Sequence, residues 1–418
     1  MRAPPQPPAM AGTAFSDLPP ELMAKIHDNL AFLDRLAFAA AVSAPSRDAL
    51  KPEPPWLVLP GETQETTRVF SLADRRSATV RAPDPAMRDH VIIGSSGGWI
   101  ATADERGRMR LANPVTGEQG DLPAIATIPF LKADQGGRYF VLIMEPFVQL
   151  RYRGELESWP LRPHPYGTFT LTDGDMRRWF YRKVVLSASP RPGDYAAMLL
   201  LGNYFGTPAF ATAEDGRWRV TPSRDGVEDA IHHKGKFLSV TYTGTVEAWE
   251  RDGVHGEFTS KVVTTRMANG GDHRHCSKYL AAAPDGRLMI VLKNAKRVKD
   301  LFELQVFDEK TQRWEAAEDV GDLAILVGIN SSLCVSTTEH PELKAGCVYY
   351  TDDKIGKASL RRGARCSSWY HRGDESHNND SDRNVTMYSL KDGTAESISE
   401  LGEHLGWPPP AWFIPSFP

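Results

Sequence analysis

The run DHRHC, residues 272–276, sets His273, His275 and Cys276 where two ring nitrogens and a thiolate could meet a metal ion. Ligands this close in sequence seldom converge on one ion, and no second His/Cys cluster stands at zinc-ligand spacing. A polar loop is the better reading. In IHHKGK, His232 and His233 sit in a strand-like stretch, where consecutive side chains point to opposite faces and cannot share a role. HRGDESHNNDSDRN (371–384) is acidic and polar but lacks the D-x-[DN]-x-[DN]-G spacing of a calcium loop. GSSGG (94–98) resembles a phosphate cradle yet lacks the Lys and helix that would follow one, so it reads as a turn into a strand. Neither G-x-S-x-G nor H-E-x-x-H occurs. No catalytic residue, metal or cofactor is expected, and the chain is read as a binder, not an enzyme.

The elements that carry these residues are mostly short strands. GGWIATADERGRMRLANPVTGE (97–118) and GKFLSVTYTGTVEAWERDG (235–253) each alternate apolar and polar positions between Gly-, Asp- or Asn-containing turns. DGRLMIVLK (285–293), FELQVFDEKTQRWEAAED (302–319), GCVYYTDD (346–353) and NVTMYSLKDGTAESI (384–398) continue the pattern, joined by hairpin chemistry. Apolar strand starts near Trp99, Tyr139, Val184, Phe237, Leu288, Leu333 and Val385 are spaced by about 40 to 53 residues, and a four-stranded propeller blade takes roughly 40 to 50. The fold expected is mainly β: a β-propeller-like domain of six or seven blades over residues 57–418, with two stacked sandwiches as the rival arrangement. Trp99, Trp218, Trp249 and Trp314 fall in strands or beside turns and are expected to pack the core.

The opening of the chain differs. Residues 1–14 are rich in Pro and Ala and are expected to be disordered. Residues 15–48 read as a small helical domain. Ser16 and Asp17 can cap it, and Pro19 and Pro20 suit a first turn. Leu22, Ile26 and Leu30 recur every four residues with Met23 beside them, and a second helix is expected from about Asp34 to Val42, stopped by Pro45. Residues 49–56 form a proline-rich linker.

The chain has 418 residues, with 49 basic against 53 acidic. That balance disfavours sequence-independent nucleic-acid binding, which depends on a basic surplus. No stretch approaches the length of a membrane span, and the start lacks a secretory h-region. The four cysteines, Cys276, Cys334, Cys347 and Cys366, form no C-x-x-C pair, which suits a reducing compartment, cytoplasm or nucleus. The sequons at Asn330, Asn379 and Asn384 then carry no expectation of glycosylation.

Residues 15–48 resemble an F-box, the helical module that docks onto Skp-type adaptors of cullin–RING ubiquitin ligases. The match to L-P-x-E-[LI]-[LI], then Ile, Leu and Asp, is made by Leu18, Pro19, Glu21, Leu22, Met23, Ile26, Leu30 and Asp34. The closing V-C-x-x-W-R is degraded: Val42 and Arg47 fit, but Ser43 replaces Cys, Ser46 replaces Trp and Pro45 intrudes. Residues 94–118, 229–253, 306–322, 346–353 and 387–398, with the tail PPPAWFIPSF, resemble the KIB-type β-propeller that follows an F-box in a large plant family. The resemblance implies a substrate-receptor subunit whose adaptor-binding residues are Leu18, Pro19, Glu21, Leu22, Ile26, Leu30, Asp34 and Val42. Its partners would be the adaptor, through it a cullin, and a protein target on the propeller, with no nucleic acid or membrane. The alternative is a non-catalytic interaction propeller whose degenerate F-box has lost its ligase. A missing interface Trp can cost about 2 kcal/mol or more.

Overall fold

The computed structural model describes residues 18–42, 47, 50–63, 65–84, 90–134, 139–143, 168–202, 205–223, 225–253, 255–267, 276–294, 301–351, 385–402 and 408–416. The chain divides into two compact units, Met1–Glu53 with Pro415–Pro418, and Pro54–Ile414.

The first unit contains α1 (Pro20–Asp28) and α2 (Phe32–Ala41). Pro20 stands at the first helical position, where its missing N–H is no loss. Glu21 lies in the positive first turn and Lys25 in the negative last turn. Asn29 ends α1, and its side-chain amide donates to the Lys25 carbonyl at 2.7 Å. The core is small: Met23, Ala39, Val42 and Leu50, with Leu18 and Phe38 against them. Arg35 of α2 fastens the unit, donating to Glu53 Oε1 at 2.5 Å, to Glu53 Oε2 at 3.2 Å and to the Leu30 carbonyl at 3.0 Å.

α1 therefore ends before Leu30, which the four-residue spacing had placed on the same helix. Asn29 and Leu30 form the turn into α2. α2 begins two residues before Asp34. Residues 1–17, including the N-terminal tail and both expected caps, lie outside the described residues, as do Ser43, Pro45 and Ser46.

The second unit is built of antiparallel sheets in chain order. Blade one pairs Trp56–Pro60, Thr66–Ser71 and Arg76–Arg81 and takes Ala411–Phe413 as its inner strand. Trp56, the last residue of the expected linker, already pairs with Ser71 and Phe413. Blade two is Val91–Ser96, Trp99–Ala103, Met109–Ala112 and Gln119–Leu122, and blade three is Tyr181–Leu186, Ala196–Leu201, Pro208–Thr212 and Arg219–Val220. Blade four is Val227–His233, Lys236–Thr241, Val246–Arg251 and Phe258–Val262, and blade five is Cys276–Ala282, Leu288–Asn294, Leu301–Asp308 and Arg313–Ala317. Blade six orders five strands as Leu333–Ser336, Leu323–Val327, Cys347–Thr351, Val385–Ser389 and Thr394–Ser397, with one parallel pairing between Leu323–Val327 and Cys347–Thr351.

Six of these sheets form a ring. The inner strands of blades one, two and three neighbour one another in turn. Apolar clusters then join blades three and four, four and five, five and six, and six and one. Gly94 explains the close approach of blades two and three: a Cβ there would lie 2.0 Å from the Val184 carbonyl oxygen. A seventh sheet, Leu131–Ala133, Tyr139–Ile143 and Thr168–Thr172, is inserted between blades two and three and is not part of the ring. Phe130 anchors it, 6.1 Å from Phe180 and 6.4 Å from Phe205 between ring centroids. The Trp218 indole of blade three donates to the Pro123 carbonyl at 2.7 Å.

Candidate functional site

The two faces of α1 are used differently. Met23 and His27 face inward, each 1% exposed, whereas Leu22 and Ile26 stand 49% and 37% exposed. Residues four apart on a helix lie on one face, so Leu22 and Ile26 form a paired apolar surface on α1. Fully burying an exposed aliphatic side chain is worth roughly 1.5–3 kcal/mol, and a partner surface can recover the part of it that Leu22 and Ile26 still leave in water.

The other anchors separate into two groups. Pro19 and Glu21 at the start of α1 and Asp34 in the first turn of α2 are exposed. Leu18 and Leu30 are half-buried, with Leu18 packed on the unit's core. Val42 is buried in that core with Met23, Ala39 and Leu50, so it packs the unit from within and adds nothing to its outer face.

His27 is the feature that motif matching missed. Four residues after Met23, it occupies the inner face of α1 with its ring 6.2 Å from Phe38. Neither ring nitrogen has a hydrogen-bond partner among the described residues. Its nearest charge is Asp28, with Nδ1 3.8 Å from Oδ1. Burial holds its pKa below the ordinary histidine value, outweighing the attraction of Glu53 and Asp28.

In the second unit, buried charged side chains pair across the inner strands of blades three, four and five, the strands that line the ring's axis. Glu228 and Asp229 are consecutive, and in a regular strand they would face opposite ways. The register of blade four's inner strand shifts between Val227 and Asp229, as a bulge does when it re-aims side chains. Asp229 then takes the Lys183 ammonium of blade three at 2.5 Å and the Leu280 N–H of blade five at 2.9 Å. Glu228 takes the Lys278 ammonium of blade five at 2.9 Å. All four side chains are buried.

Of the other residues flagged in the sequence, His232 stacks edge-on to Phe237 at 5.1 Å, while His233 packs near the Gly286 turn. Burial lowers the pKa of both. GSSGG is a strand followed by a two-residue turn, with Gly97 and Gly98 at φ +50° and +82°, the left-handed pair that a tight hairpin requires. Trp99, Trp218, Trp249 and Trp314 are all buried, as expected. His273, His275 and the polar run 371–384 lie outside the described residues. Among the described residues no group of three or more His, Cys, Asp or Glu side chains could hold a metal ion, and no helix is long and apolar enough to cross a membrane.

The Arabidopsis thaliana F-box protein At2g17036 is 23% identical over 235 residues, 51% of this chain and 52% of its own. A second A. thaliana relative, At5g60060, is 24% identical over 189 residues, 42% of this chain and 47% of its own. The chain thus spans about half the length of the curated relatives it matches. Among solved structures, the Myceliophteria thermophila Cps50 (Swd1) beta-propeller domain aligns with 62% of this chain and 84% of its own at 9% identity and a TM-score of 0.30, too low to carry an argument. The family model of the KIB1-4 beta-propeller matches residues 69–389, the greater part of the six-bladed ring. The chain belongs to the KIB1-4 beta-propeller family.

Proposed function

We propose that this chain is the substrate-receptor subunit of a Skp–cullin–F-box ubiquitin ligase. The helical unit docks the adaptor and the propeller holds a protein target. The observation that carries the reading is the exposed Leu22/Ile26 pair on α1, with Pro19, Glu21 and Asp34 exposed as well. Relatives named as F-box proteins support it. An amphipathic helix with apolar anchors one turn apart is suited to a hydrophobic groove. The receptor does no bond chemistry in this reading: it raises the effective concentration of a target lysine near a charged ubiquitin carrier. It works in the cytoplasm, the nucleus or both.

A second reading is favoured by Ser43 and Ser46, which stand where the F-box pattern has Cys and Trp. It makes the chain a non-catalytic interaction propeller uncoupled from a ligase. Co-purification of the full chain with a Skp-type adaptor and cullin separates the two, with Leu18→Ala/Pro19→Ala as control. A stoichiometric complex lost in the control supports the receptor, and no complex with the intact chain supports the uncoupled propeller.

A further inference from the structure

The site proposed above has an acid-sensitive element beneath it. His27 lies under the Leu22/Ile26 face, buried against Met23 and Phe38, with both ring nitrogens unpartnered among the described residues. Protonating it would place a cation in an apolar setting where, among the described residues, neither ring nitrogen has a hydrogen-bond partner and the nearest paired carboxylate, Asp28, stands at 3.8 Å and is itself largely in solvent. A buried ion that lacks close hydrogen bonds is costly for a small unit to hold, the long approach of Asp28 does not offset the burial, and this unit's core has only a few large apolar side chains.

We propose that His27 makes the helical unit a pH-responsive switch, folded and able to dock its partner when the imidazole is neutral and released when it is protonated. The inference rests on the receptor reading for its consequence, but not for its mechanism.

The groups facing His27 come from three places. Asp28 lies on its own helix at 3.8 Å. Arg35 lies on α2 and opposes protonation. Glu53 attracts a proton to the ring, but its carboxylate already accepts two hydrogen bonds from Arg35. Burial is the largest influence and sets the direction downward. The unfolded segment therefore binds more protons than the folded one between the lowered value and the ordinary value of about 6.5. The unit's stability is complete above that ordinary value and falls as pH drops through it towards the folded value. The folded-to-open ratio loses up to about tenfold by one pH unit below 6.5.

Hydrogen exchange on the full chain tests this directly. Protection factors, corrected for intrinsic rates, are measured for peptides covering residues 20–41 at pH 7.5 and 5.5, in the wild type and in His27→Met. The expected result is a fall approaching tenfold in the wild type and little change in the variant. Unchanged wild-type protection, or an equal fall in the variant, overturns the proposal. If His27→Met leaves residues 20–41 unprotected at pH 7.5, an NMR titration of the wild-type ring, identified by its contact with Phe38, decides. A midpoint below 6.5 supports the switch and one at or above 6.5 overturns it. Exchange needs no adaptor. If the chain binds no Skp-type adaptor at pH 7.5, the receptor reading fails while this result still stands.

Discussion

Asn330 and Trp412 exchange hydrogen bonds across the junction that closes the ring. The Asn330 amide donates to the Trp412 carbonyl, and Asn330 Oδ1 accepts from the Trp412 N–H at 3.3 Å. The same amide donates to Ser95 Oγ at 2.6 Å, and the Ser95 hydroxyl donates to the Trp412 carbonyl at 3.0 Å. One asparagine from the connection within blade six therefore ties the inner strand of blade one to that of blade two. The Trp412 indole adds a bond to the Val327 carbonyl at 3.0 Å.

Asn330→Ala leaves the Trp412 N–H without its buried acceptor. An orphaned buried polar group costs about 1–3 kcal/mol, so thermal unfolding of the full chain should move several degrees lower. Asn330→Asp should be worse, since its carboxylate would face the Trp412 carbonyl. The sequon at Asn330 is a second check: the side chain is 0% exposed, and the folded protein should carry no glycan there even if passed through a secretory route. Intact mass after secretion measures this.

The axial charges give a different kind of prediction. Asp229→Leu strands the buried Lys183 ammonium and removes the acceptor of the Leu280 N–H. Removing one member of a buried pair typically costs about 3–5 kcal/mol. Lys183→Met combined with Asp229→Leu should recover much of that, because both charges leave together, though not all, because the Leu280 N–H stays unpaired. Denaturant midpoints of the two singles and the double form the cycle. A double variant as unstable as the singles together would contradict this account of the axis.

Cys334 offers a chemical test. It is a free cysteine on a strand of blade six, and burial pushes its pKa to about 12. Thiolate is the reactive form, so at pH 7.5 the native protein should leave Cys334 unalkylated by iodoacetamide while denatured protein labels fully. Peptide mass spectrometry reads the site, and rapid native labelling of this half-buried thiol would contradict its raised pKa.

The sequence discloses the strands better than their assembly. Alternation through Leu238, Val240, Val246 and Ala248 marks blade four correctly, because residues two apart share a sheet face, here the face packed on blade five, while Phe237 and Trp249 between them pack on blade three. Blade assignment fails where the chain departs from one blade per period. Tyr139 begins a strand of the inserted sheet, Leu333 and Val385 belong to a single blade, and blade one takes its inner strand from residues 411–413. The axial pairs are hidden for another reason. Lys183 and Asp229 are 46 residues apart, and it takes a local register shift for the consecutive Glu228 and Asp229 both to reach blade five. In the helical unit, Leu22 and Ile26 are legible as a stripe, whereas Leu30 is misplaced because the helix stops at Asp28. His27 could have been found from its position four residues after Met23, on the inner face.

The central claim is that the exposed face of α1 is the docking surface, and calorimetric titration of the full chain with a Skp-type adaptor at pH 7.5 tests it most directly. The comparison is between wild type and Leu22→Asp/Ile26→Asp, which alters exposed side chains and leaves the Met23 core intact. The wild type should bind with one-to-one stoichiometry and the double variant about a hundredfold or more weaker, the loss of two central anchors. Equal binding by both, or no binding by a wild type whose helices remain protected from exchange, would contradict the account.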